Sequence, residues 1–73
     1  MNGQWKPRLN DKYLVDWDGM SRIIVEEING TDVTLRRIHL ADDTPYVGDI
    51  EDGIHSWIEL PISEFSEMVI SKL

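Results

Sequence analysis

The chain has no cysteine among its 73 residues. That excludes a disulfide framework, a thiolate zinc site, an iron–sulfur cluster and a cysteine nucleophile. Bases are scarce: seven Lys and Arg stand against fourteen Asp and Glu, a net charge of −7. Duplex DNA carries a phosphate per roughly 1.7 Å of axis, so a chain this acidic is repelled unless it holds a local basic patch. The same repulsion disfavours anionic membrane surfaces. Long apolar runs are missing as well. No uninterrupted apolar stretch exceeds three residues, as in Ile23, Ile24 and Val25, whereas a membrane-spanning helix needs about 20. Residues 1–10 lack the apolar segment of a secretory leader. The expectations are therefore no membrane contact and a cytoplasmic location. Neither a Gly-x-Ser-x-Gly elbow nor a Gly-rich phosphate loop is present.

What remains fits one small domain, residues 1–73. Apolar residues make up 41% of the chain, enough for one small core and too few to line a deep substrate cavity too. Residues 1–11, with Pro7 and Asn10-Asp11, read as a loose arm. Residues 12–17 alternate as a strand, with Tyr13, Val15 and Trp17 on one face; Asp18-Gly19 marks a turn. Residues 21–28 form a second strand, rich in β-branched Ile and Val. Asn29-Gly30 is the strongest short hairpin signal, and Val33 to Leu40 returns. A two-residue turn at Asn29-Gly30 sets Glu27 against Asp32, which a longer loop over 29–32 relieves. The apolar phase changes between Leu35 and Ile38, which predicts a bulge or strong coil near Arg36-Arg37.

Residues 41–53 read as an acidic loop, with a short strand at Tyr46–Val47 or Asp49–Ile50. Ile54, Ser56, Ile58 and Leu60 alternate as a further strand that Pro61 ends. From Ile62 the period becomes helical: Ile62, Phe65, Val69 and Leu73 share one stripe with Met68 beside it, and Ser63 suits the N-cap. The fold class is mainly β: a small antiparallel sheet or SH3-like barrel with a C-terminal α-helix, with an open α+β sheet as the alternative.

Most of the net charge lies between residues 41 and 60, where Asp42, Asp43, Asp49, Glu51, Asp52 and Glu59 meet no base. Asp42, Asp43, Asp49, Glu51 and Asp52, with Tyr46 as an apolar anchor, are the candidate partner-binding residues. His39 and His55 beside Asp42, Asp43 or Asp52 offer metal-type donors, but no spacing demands a metal; a solvated acidic loop accounts for them. Ser21, Ser56 and His55 do not form a triad, since His55 and Ser56 are strand neighbours on opposite faces. No catalytic residue, metal or cofactor is assigned. Trp5, Lys6, Arg8 and Lys12 could stack a base and touch phosphates, yet three bases on an arm are a weak footprint.

Tyr13-Leu14-Val15-Asp16-Trp17-Asp18-Gly19 resembles the Tyr-Leu-Val-x-Trp-x-Gly strand of chromodomains, and Ser56-Trp57 ahead of a helix is loosely similar to their later Trp and terminal helix. The resemblance covers about seven residues. It implies an aromatic cage for a methylated ammonium, with Tyr13 and Trp17 as walls. Asp16 and Asp18 depart from it, as does the long segment before Trp57. Tyr13, Trp17 and Trp57 form the alternative aromatic site.

These readings converge on a non-enzymatic acidic protein-binding module, of the kind an accessory or inhibitor protein of a mobile element or phage would be, engaging a basic protein surface through residues 41–53. A small-barrel reader of peptide or nucleic acid and a structural homo-oligomer subunit are the rival expectations; nucleic acid is the less expected partner.

Overall fold

Two strongly β-branched stretches build the centre of the sheet. In the computed structural model, which describes residues 5–73, strand β2 (Met20–Asn29) pairs antiparallel with β3 (Asp32–Arg37). Asn29 faces Asp32, so the turn residues are Gly30 and Thr31, one step beyond the expected Asn29-Gly30 pair. Gly30 takes φ +59°, a backbone shape that favours glycine. The shift sets Glu27 opposite Thr34 instead of Asp32, which removes the like-charge contact.

The expected bulge is present, but on β2 rather than at Arg36-Arg37. Val25 pairs with Leu35 and Glu27 with Thr34, leaving Glu26 as the extra residue. The apolar spacing explains the position. Ile23, Val25 and Ile28 are two and then three residues apart, and one inserted residue keeps all three on a single face.

Strand β1 (Lys12–Asp16) pairs with β2 on its other side, through the turn at residues 17–19. After β3 the chain makes a small hairpin, β4 (Ile50–Glu51) with β5 (Ile54–His55), whose turn residues Asp52 and Gly53 both have positive φ. It then returns as β6 (Trp57–Pro61) along β3. Helix α1 covers Ile62–Met68. Strand β7 (Val69–Lys72) follows at once and pairs with β1.

The main sheet therefore runs β6-β3-β2-β1-β7. It is five-stranded, antiparallel and carries one short helix near the C-terminus. It does not close into a barrel: β6 and β7 are its two edges.

Three expectations need correction. The terminal helix was expected to reach Leu73 but ends at Met68, because Val69 and Ile70 are β-branched and an open edge of β1 lies within reach. The N-cap residue is Pro61, with no side-chain cap bond, and Ser63 lies inside the helix. The arm is not loose over the described residues 5–11. Pro7 is buried, Asn10 N donates to Val25 O, and Val25 N donates to Asp11 O. Residues 1–4 of that arm lie outside the described residues.

The core sits between one face of the sheet and α1. Val15, Ile23, Val25, Leu35 and Phe65 are fully buried, with Tyr13, Val33 and Leu60 nearly so. Phe65, Tyr13 and Trp5 form a triangle of edge-to-face rings with centroids 5.3–5.7 Å apart. Such pairs favour one geometry beyond the area they bury, so the N-terminal strap is locked to the helix through the core.

Candidate functional site

The second face of the sheet decides where the acidic loop goes. Cross-strand pairing lines up Lys12, Ile24, Arg36 and Trp57 across β1, β2, β3 and β6. Arg22 lies in the neighbouring row, opposite Leu14. Three cations and an indole thus project from the face opposite the core, and the loop is tied to each of them.

Asp43 takes Arg22 Nη2 at 3.0 Å and Lys12 Nζ at 3.8 Å. Arg36 Nη1 donates to the carbonyls of Tyr46 and Gly48 at 3.0 and 2.8 Å, while its other nitrogens hold Glu26. The Trp57 indole donates to Asp49. His39 Nε2 lies 2.8 Å from Glu51 Oε2, and the His39 ring stacks on Tyr46 with centroids 4.4 Å apart. Glu51 also accepts the Val47 N–H at 2.8 Å. Asp42 Oδ1 accepts both the hydroxyl and the N–H of Thr44, which hold its carboxyl below the usual carboxylate range.

Of the six residues expected to meet a partner, Asp42, Asp43, Asp49, Glu51 and Tyr46 are therefore engaged within the chain. Among the described residues Asp52 alone of the loop's five acids has no side-chain partner; it sits at the β4–β5 turn with φ +53°. The loop is a fastened flap: Asp43 and Glu51 are half-buried, while Asp42, Asp49 and Asp52 stay exposed.

The alternative aromatic site is not assembled. Tyr13 is 2% exposed and belongs to the core triangle. Trp17 shares Tyr13's face, and its ring is covered by the Arg37 guanidinium at 3.7 Å. Trp57, on β6, projects from the opposite face, three strands away from β1. The three rings enclose no common space, and Tyr13 cannot wall a cage. The basic trio is split too: Lys6 and Arg8 are exposed on the strap, while Lys12 joins Asp43 on the second face.

Ser21, Ser56 and His55 also separate by role. Ser21 Oγ donates to Trp17 O, buried Ser56 donates through Oγ to Val47 O, and His55 is exposed on β5. Among the described residues no group of three His, Asp or Glu side chains is placed to hold a metal ion, and no helix is long and apolar enough to cross a membrane.

Two features escaped the sequence reading. One is Arg37, whose side chain is only 6% exposed. It donates from Nε to His55 O at 2.8 Å and from Nη1 to Ser21 Oγ at 2.5 Å. Its position was readable: Leu35 and Arg37 share a strand face, and Leu35 is core. The other is a groove of about 410 Å³ between the end of β1 and α1. Leu60 and Met68 form its floor, and Asp16, Glu64 and Glu67 surround them. Glu64 and Glu67 come from one helix and Asp16 from the end of β1, so no local charge run announced the three together. No family model, curated protein or solved structure matches this chain.

Proposed function

We propose that the protein is a non-enzymatic binding module that engages a basic segment of another protein. One observation carries the reading. Asp16, Glu64 and Glu67 converge on an apolar floor of Leu60 and Met68, and none of the three has an ion-pair partner among the described residues. A Lys or Arg beside an apolar side chain complements that arrangement: the charge meets the rim and the apolar group meets the floor. The net charge of −7 adds long-range attraction to such a segment.

The test compares two double charge reversals of equal size. Glu64→Lys with Glu67→Lys changes the groove; Asp52→Lys with Glu59→Lys changes net charge elsewhere. Binding of a fluorescent Lys/Leu peptide is followed by anisotropy across a salt series. The groove variant should lose at least about tenfold in affinity, roughly 1.4 kcal/mol, and the distal variant much less. Equal losses would mean bulk charge alone and defeat the groove.

A further inference from the structure

We propose a second binding site, for the C-terminal residue of a peptide, with its carboxylate on Arg37 and its apolar side chain among Met20, Leu40 and Ile54. The site shares no residue with the groove beside α1. It is a cleft of about 210 Å³ that Arg22, Arg37, Met20, Leu40, Tyr46 and Ile54 help to line.

The floor supplies an unmet donor. Arg37 spends Nε and Nη1 on His55 O and Ser21 Oγ, but buried Nη2 has no hydrogen-bond partner. Its nearest acid is Asp18 Oδ2 at 3.6 Å, too long for a hydrogen bond. Arg22 Nε, at the same cleft, is likewise buried without a partner. A buried donor left unsatisfied is costly, the more so when charged, so a carboxylate that displaces Asp18 and reaches Nη2 recovers what the chain leaves unmet. Asp18 holds the place loosely: its side chain is 75% exposed, on the turn between β1 and β2.

The rim supplies apolar surface. Met20 and Leu40 are 72% and 74% exposed and Ile54 36%, and they reach this cleft from three separate segments. Three exposed apolar side chains lining one cleft give an entering apolar group surface to bury against. Size selects the occupant. Ordinary small-molecule pockets begin near about 300 Å³, and this cleft has room for one residue. A single residue that carries both a carboxylate and a bulky apolar side chain is an apolar C-terminal residue. An internal Asp or Glu would need a neighbour to provide the apolar half.

The test is an NMR titration of the whole chain with N-acetyl-leucine, N-acetyl-leucinamide and N-acetyl-aspartic acid α-amide. The free acid of leucine should shift the Met20 methyl and the Arg37 side-chain N–H saturably, with a Kd on the order of millimolar, and the leucinamide should bind at least about tenfold more weakly. Asp18→Asn, at an exposed turn where Asn tolerates the positive φ, should tighten the acid severalfold by removing the competing carboxylate. Leu40→Ser should weaken it. Equal shifts from acid and amide, or no shift of these resonances at all, would overturn the site. Tighter binding of the aspartyl amide would overturn the C-terminal assignment, and an unchanged affinity in Asp18→Asn would overturn the Arg37 contact.

Discussion

The indole N–H of Trp57 donates to Asp49 Oδ1 at 2.9 Å. That bond ties edge strand β6 to the acidic loop, and it shows what the loop's carboxylates do. Asp49 and Asp43 meet polar groups of the sheet face, while Asp42 and Glu51 brace the loop's own backbone. Asp43 neutralises Arg22 and Lys12, and Arg36 returns the favour by bonding the loop's own carbonyls at Tyr46 and Gly48. Of the loop's five acids Asp43 is neutralised by Lys and Arg, whereas Asp42 and Asp49 bond neutral donors and stay exposed.

Removing Arg36 should release the flap. Its side chain is 19% exposed and serves two loop carbonyls as well as Glu26. Arg36→Met should cost about 1–3 kcal/mol, the range for orphaning partly buried polar groups. Asp49→Ala, which breaks one more exposed bond, should cost about 1 kcal/mol. Urea denaturation measures both. Amide hydrogen exchange in residues 41–53 should rise in Arg36→Met far more than in β2. Unchanged loop protection would show that the flap is held by something else.

Much of this architecture was legible where one face is buried and the period is unbroken. Tyr13 and Val15, then Ile23 and Val25, then Val33 and Leu35 alternate as they pack. The legibility failed where two periods coexist. Ile62, Phe65 and Val69 satisfy a helical stripe, yet Val69 and Ile70 prefer a strand, and pairing with β1 decided the matter. Two-residue strands carry no period at all, so the β4–β5 hairpin had to be found from Asp52-Gly53, a turn signal that the surrounding acids disguised. The groove beside α1 needed tertiary structure, since Asp16 lies far in sequence from Glu64 and Glu67.

The C-terminal strand can be told from a helix by one exposed substitution. Ser71 faces Leu14 across β1–β7. Ser and Val have similar helix propensities, whereas a strand favours Val, with propensities spanning about 1 kcal/mol. Ser71→Val should therefore raise stability by several tenths of a kcal/mol. The denaturation midpoint measures it, and an unchanged or lower midpoint would count against β7. The Leu73 amide, which donates to Lys12 O at 2.9 Å, should also exchange slowly.

Acid should loosen the strap. Burial pushes the Asp11 carboxyl up, but the Arg8 N–H, the Tyr13 hydroxyl and Lys72 outweigh it and hold the group below its ordinary value of 3.8. The unfolded chain therefore binds the extra proton first. The stability this group contributes is present above about pH 4 and is lost as pH falls through the lower folded value. Asp11→Asn should flatten the acid limb of stability against pH relative to the parent chain. Identical limbs would show that Asp11 is not linked to folding.

Trp5 offers the sharpest test of whether the N-terminal segment belongs to the fold. Its ring meets Tyr13 and Phe65 edge-on, at 5.7 and 5.3 Å, but remains 40% exposed. Truncating a fully buried aromatic costs about 3–5 kcal/mol; a ring half in water should cost less, about 1–2 kcal/mol. Phe65→Ala, at 0% exposure, should cost the full amount, a large share of the stability a domain this small can hold. Trp5→Ala should therefore fold with a lowered urea midpoint, while Phe65→Ala should be largely unfolded without denaturant. An arm free in solvent would give no loss at Trp5. A measurable loss there, together with faster exchange at the Asn10 amide that donates to Val25 O, would establish the strap as a structural part of the sheet.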